Sequence, residues 1–243
     1  MDATDKLIQA MRNLVVGNRI LAREGVVDAY GHLTIRHPND PERYLMSRSR
    51  SPELVTLDDI MEFRLDGTPI EDRGRAPYAE RYIHGAIFEN RPEVMSVVHN
   101  HSLPLIPFGV TGVPLRPVLH VAGCIGAHVP VWDIRPKFGD STNLLVVNMT
   151  QGRDLASALG RNRVILMRGH GCAVTGRSVQ ESVLVSIFLQ VNATLQLQAL
   201  QLGKEITYLT PGEAEACAAT MVSELSVTRA WEYYRTRAVG DSV

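Results

Sequence analysis

Two histidines one residue apart, His99 and His101 in "VVHNH", close a short apolar run. On an extended strand, residues i and i+2 project to the same side, so both imidazoles can meet at one point while Asn100 faces away. His170 ends a second apolar run in "VILMRGHG", between two glycines that let backbone and ligands approach closely. Three neutral imidazoles around an open position suit a catalytic divalent ion such as zinc, manganese or cobalt. Taken alone, a His-x-His pair is more often a satisfied core or loop pair, so the metal reading depends on the third ligand. Glu80, in "APYAERYIHG", has three readings: a fourth ligand, an acid/base group, or a carboxylate placed favourably at a helix start. His84, one turn further on, reads either as a partner of Glu80 or as a packing residue. Cys172, two residues past His170, reads as a small buried side chain.

The elements that must position these groups follow from periodicity. Leu7, Ile8, Met11, Leu14, Val15, Leu21 and Ala22 fall on one helical face, and Gly25 follows as a stop signal. Between about residues 29 and 65, the runs LTIR, RYLMS and MEFRL, separated by PNDP and DGTP, predict an antiparallel meander. A helix over about 78–90 carries Glu80 and is closed by Pro92, and VMSVVH is then a buried strand feeding the two histidines. Residues 102–142 are rich in Pro and Gly and read as long loops with short helices. A strand (LLVV), a helix over about 151–159, a strand (VILM) and a helix over about 178–202 follow. That last helix is apolar around much of its circumference, which predicts burial in the core or against another subunit. A helical tail covers about 213–236, and no repeat or linker interrupts residues 1–243, so one domain is expected.

The composition excludes several function classes. Twenty-five basic residues against 26 acidic ones give a net charge of -1, which supplies no electrostatic basis for binding nucleic acid or an anionic membrane. Three scattered cysteines without a Cys-x-x-Cys spacing predict a reducing, cytoplasmic setting rather than a disulfide framework. The first residues lack an apolar signal core, and no later stretch has 18 uninterrupted apolar residues, so neither export nor membrane spanning is expected.

The order Glu80, then "VVHNH", then "RGHG", with an N-terminal helix and the strand "YGHLTIR", resembles the class II aldolase/adducin family over roughly residues 5 to 210. The resemblance implies an α/β fold, a three-layer α/β/α arrangement about a mostly antiparallel sheet. It also implies a ring-shaped homotetramer with sites between subunits. His99, His101 and His170 would hold one divalent ion per subunit, with Glu80 as acid/base or substitute ligand. The adducin branch lacks these ligands and is not enzymatic, whereas this chain keeps all four.

The chain departs from the sugar-phosphate aldolases of that family at their phosphate pocket, which needs small residues so that backbone N–H groups reach the phosphate. The corresponding stretches here are Gly31-His32, Ser47-Arg48 and Tyr78-Ala79. An imidazole, a guanidinium and a phenol suit a ring and a carboxylate instead. Arg48 is therefore assigned to the carboxylate, His32, Tyr78 and Ser47 to the pocket, and Arg50 to a solvated basic loop. Where the aldolases carry an assisting tyrosine from a neighbouring subunit, "VLHVAG" offers His120. The longer patterns 28–55 and 97–118 resemble the branch of metal-dependent decarboxylases of hydroxylated aromatic dicarboxylates, such as 3,4-dihydroxyphthalate or a hydroxypyridine dicarboxylate. The expected activity is loss of CO2 from such an acid, with Glu80, its pKa raised by burial, protonating the ring carbon. Two alternatives stay open: an aldolase for a small non-phosphorylated oxo acid, and an adducin-like interaction domain that binds no metal.

Overall fold

The computed structural model describes residues 2–240. The chain opens with α1 (Ala3–Arg23), whose first N–H groups are satisfied by a capping box between Asp2 and Asp5, and which buries Leu14, Ile20 and Leu21. Strands β1 (His32–Arg36), β2 (Arg43–Ser47) and β3 (Ile60–Arg64) form the expected meander, with Thr34 opposite Met46 and Leu45 opposite Glu62. Next come α2 (Arg81–Asn90), β4 (Ser96–Asn100), α3 (Ile106–Thr111), β5 (Val131–Trp132), the single turn α4 (Arg135–Phe138) and α5 (Met149–Leu159). The chain then forms β6 (Val164–Met167), β7 (Gly171–Gly176), α6 (Val179–Gln201), α7 (Pro211–Met221) and α8 (Glu224–Val239).

The seven strands make one sheet in the order β3-β2-β1-β4-β7-β6-β5. Every neighbouring pair is antiparallel except β5 with β6, so the sheet is mixed through a single two-residue edge strand. Two apolar layers cover it. Leu14 and Leu21 of α1 and Val183 of α6 pack with Leu33, Val98 and Val174 on one face. Ile83 and Ile87 of α2 and Leu155 of α5 pack with Val97, Ile165 and Ala173 on the other. Side chains alternate along a strand, so His99 shares the face of Val97 and projects toward α2, while Asn100 shares the face of Val98. The helix α6 has the length and hydropathy of a membrane span, but it buries Glu181, Ser182, Ser186, Asn192 and Gln196 inside this fold. Gln196 and Asn192 hydrogen bond the backbone of Pro114 and Arg116, which is how a core helix satisfies its polar groups.

Three elements differ from the periodicity reading. Residues 144–147 (LLVV) are not a strand: Leu144 has φ +66°, and the Leu144 carbonyl and Val146 N–H bond to side chains of the site instead of to a neighbouring strand. The strand β7 (GCAVTG) has too little apolar alternation to be read as one, because it is covered on both faces and needs none. The C-terminal tail is two helices, broken where Ser223 turns out to cap α8.

Candidate active site

Four chemical groups from the end of one strand, one turn between strands and one helix start meet at the α2 face of the sheet. His99 lies in β4, His101 one residue beyond it, and His170 in the turn between β6 and β7. That turn needs Gly169 at φ +65°, and a Cβ on Gly171 would stand 2.2 Å from the Asn100 carbonyl oxygen, so both glycines are required for the close approach. Nε2 of His101 lies 3.0 Å from Nε2 of His99 and 3.2 Å from Nε2 of His170. Glu80, the residue before α2, does not cap its own helix. Its Oε1 accepts a hydrogen bond from Val146 N–H at 3.0 Å, and its Oε2 stands 3.5 Å from His99 Nε2 and 3.4 Å from His170 Nε2.

The surroundings orient these rings. Nδ1 of His99 is 3.0 Å from the Cys172 carbonyl, and Nδ1 of His170 is 3.0 Å from the Leu144 carbonyl. A carbonyl only accepts, so each Nδ1 carries the hydrogen, and in a neutral ring the Nε2 lone pair turns inward. Lone pairs and a carboxylate converging on one point repel each other unless a cation lies between them. Nitrogen ligands at 2.0–2.1 Å from a tetrahedral cation stand roughly 3.3 Å apart, close to the observed spacing. The residues therefore fit a divalent metal, with the four ligand atoms all within 4.8 Å of one another. Burial pushes the Glu80 carboxyl up, but the charge and the N–H groups that His99 and His170 present when protonated outweigh it and hold it far below the usual carboxylate range, and a cation among the ligands acts in the same direction. Glu80 is thus ionised at rest, contrary to the expectation that burial keeps it protonated. Burial pushes the Cys172 thiol up to about 12, and its Sγ bonds Asn100 Oδ1 on the opposite side from the cluster.

Beside the cluster opens a cavity of about 510 Å³, lined by Tyr30, His32, Arg50, Tyr78, Glu80 and His101 among others. The sequence candidates divide here. His32 and Tyr78 line the cavity with ring centroids 4.6 Å apart. Ser47 is buried at the end of β2 and hydrogen bonds the Tyr78 side chain, so it acts on the cavity only through Tyr78. Arg48 does not line the cavity; its Nε bonds Asp59 Oδ1 at 2.6 Å. Arg50 does, and this reverses the expected roles of the two arginines. Asp59 grips one Arg50 nitrogen, Nη1, at 2.9 Å, and the Tyr78 hydroxyl donates to the Arg50 carbonyl. Alternation along "SRSR" cannot show this, because the strand ends at Ser47 and the loop turns beyond it. His120 is exposed at the start of the 3₁₀ segment His120–Ile125 and does not line the cavity. The hydrogen bonds of His84 go to neither Glu80 nor the cluster: its Nε2 is 2.7 Å from His32 Nδ1, and its Nδ1 is 2.7 Å from Thr34 Oγ1. Residues 144–146, which receive His170 and Glu80 through their backbone, carry no side-chain signal that sequence could reveal.

Comparison with known proteins agrees with this geometry. The chain is 35% identical to the decarboxylase tropJ of Talaromyces stipitatus, over 92% of each chain. It is 31% identical to a 3,4-dihydroxyphthalate decarboxylase of Terrabacter sp., over 76% of this chain and 79% of that one. Among solved structures, L-fuculose 1-phosphate aldolase from Glaciozyma antarctica superposes with a TM-score of 0.80 at 23% identity, covering 98% of this chain and 91% of its own. Residues 12–197 match the family described as class II aldolase and adducin N-terminal domain, and with that span covered the chain belongs to the class II aldolase/adducin family.

Proposed function

We propose that this protein is a metal-dependent carboxy-lyase that releases CO2 from a hydroxylated aromatic or heteroaromatic carboxylate. The observation that carries the reading is the convergence of three Nε2 atoms and the Glu80 carboxylate beside a ring-sized cavity with a guanidinium in its wall. Relatives named as decarboxylases, one of them for 3,4-dihydroxyphthalate, support the reaction and the substrate class. His99, His101 and His170 would hold the ion, with Glu80 at its edge. Bound there, a divalent cation supplies a Lewis acid that favours the ionised form of a ring hydroxyl and stabilises the negative charge left when CO2 departs.

The protein groups manage the proton and the orientation. Glu80, ionised at rest, accepts the proton of the ring hydroxyl as the substrate binds and returns it to the ring carbon that loses its carboxylate. The pair of electrons from the breaking C–C bond forms the new C–H bond, CO2 leaves, and the ring oxygen takes a proton from solvent to close the balance. Among the described residues, Nη2 and Nε of Arg50 have no protein partner, and they can hold a substrate carboxylate as a fork. Tyr78 packs against the ring of His32, and both line the pocket.

The test is metal content together with CO2 release from 3,4-dihydroxyphthalate and a hydroxypyridine dicarboxylate, on wild type and His99→Ala. Near-stoichiometric metal, lost in the variant, with CO2 from either acid is the expected result. Metal without CO2 would replace this reading with retro-aldol cleavage of an oxo acid, and a folded wild-type protein that takes up no metal would reject metal-dependent chemistry here.

A further inference from the structure

A buried chain of hydrogen bonds stands behind the cavity wall and takes no part in holding the metal. His32 and His84 are 2% and 0% exposed, and Thr34 is fully buried next to them. The chain runs from His32 Nδ1 to His84 Nε2 at 2.7 Å, from His84 Nδ1 to Thr34 Oγ1 at 2.7 Å, and from Thr34 Oγ1 to the Val97 carbonyl at 3.3 Å. It ends at a group that cannot donate. A carbonyl takes the Thr34 proton, Thr34 then accepts from His84 Nδ1–H, and His84 Nε2 is left to accept from His32 Nδ1–H. The reverse polarity would turn Thr34 toward His84 and break its bond to Val97, at the cost of a buried hydrogen bond.

The polarity has a consequence at the far end. With its proton on Nδ1, His32 presents a bare Nε2, which has no hydrogen-bond partner among the described residues and is not sealed from the cavity it lines. We infer that His32 is a fixed hydrogen-bond acceptor in the cavity wall, set in that state by His84 and Thr34, and that it selects substrates carrying a second O–H or N–H donor beside the metal-held group. The inference rests on the substrate site proposed above, but not on the reaction. Arg50 donates and His32 accepts, so the wall is complementary to a ring bearing a carboxylate and a free hydroxyl, and it rejects the methyl ether of that hydroxyl. His84 and Thr34 are positioning residues in this scheme, since neither lines the cavity.

The first measurement needs neither substrate nor metal: the ring-nitrogen chemical shifts of protein labelled with 15N-histidine, with His32 and His84 assigned by His32→Gln and His84→Gln. Both rings in the Nδ1–H form, the minor tautomer of free histidine, is the expected result. Nε2–H, a mixture, or an imidazolium on either ring at neutral pH overturns the inference whatever reaction the protein catalyses. The second measurement is calorimetric binding of 2,3-dihydroxybenzoate and its 3-methyl ether to the zinc-loaded protein. Wild type should prefer the free hydroxyl by at least about tenfold, since the ether leaves a buried acceptor unpaired. His84→Gln, whose side-chain oxygen can still receive His32 Nδ1–H, should keep that preference, and His84→Met should lose most of it. An equal preference in wild type and His84→Met would mean the ether is excluded by shape alone and would overturn the inference. The CO2 assay is separate, so a failed decarboxylase reading and a failed acceptor assignment give different results.

Discussion

Five histidines crowd one side of the sheet, and they divide into a set of three and a pair that differ in what stands behind them. Behind His99 and His170 are backbone carbonyls, each ring acting alone, so their Nε2 atoms converge with that of His101. Behind His32 is another imidazole, and behind that a hydroxyl, so these rings form a line rather than a ring. His32 and His99 are direct partners across β1 and β4, yet in the site proposed here His99 faces the metal position and His32 the substrate wall. The atom bonded to the far nitrogen decides what an imidazole offers, not the residue type or its distance from the centre.

The largest expected effect tests that division. His99→Ala should strip most of the metal and lower CO2 release by about 10³-fold or more, because one of the three imidazoles that would hold the ion is gone. His84→Gln should keep the metal, as seen by elemental analysis on both variants. Loss of metal in His84→Gln would merge the two groups and end the comparison. Next is Glu80→Gln, which should retain metal while turnover falls by about 10²–10⁴-fold, the usual contribution of a positioned acid/base group. Equal turnover in wild type and Glu80→Gln would leave Glu80 as a ligand-side spectator and move the proton transfer elsewhere.

The two arginines sharpen the same point on a smaller scale. Both bind Asp59, whose side chain is 5% exposed, but only Arg50 reaches the cavity. Burial opposes ionisation of Asp59, and Arg48, Thr56 and Arg50 together hold it far below the usual carboxylate range. Arg50→Ala should therefore raise KM about 10- to 100-fold, as expected for a lost charge-assisted contact to a carboxylate. Arg48→Ala should change KM by less than about threefold, because Arg50 alone still partners Asp59. Steady-state kinetics on the two variants decides it, and the opposite order would restore Arg48 to the site.

The difference between Arg48 and Arg50 also marks how far sequence reasoning reaches. The meander, the helix that follows Glu80 and the strand that ends in His99 were legible, since each has a period of its own. The four ligand candidates were legible because the chemistry demands side chains of few types. Arg50 was hidden because it lies three residues past the end of β2, where alternation no longer predicts direction. Residues 144–147 were misread as a strand for a related reason: Val146 fills the α2-side core, while the bonds to His170 and Glu80 are made by backbone groups that every residue carries. His84 shows a third limit. Its spacing from Glu80 places it one turn along α2, but the ring turns toward the sheet and meets His32 and Thr34 of β1 instead.

The smallest effect expected concerns stability, and it separates the pair from the set of three without any ligand. Burial, followed by the charge of His99, pushes His84 down to about 3 from an ordinary value near 6.5. Between those values the unfolded chain binds a proton at this position and the folded one does not. Stability therefore rises with pH across that window. The contribution is fully present above about 6.5, where neither state is protonated, and is lost progressively as the pH falls toward 3. His84→Gln removes the titrating group, so its stability, followed by urea unfolding of metal-free protein, should depend less steeply on pH between about 6.5 and about 4 than wild type. The difference should be modest, because His101, pushed down to about 4 by burial and by His99, titrates in the same direction in both proteins. Identical slopes would mean that the His84 ring already charges inside the fold, which a line of neutral imidazoles ending on a carbonyl does not permit.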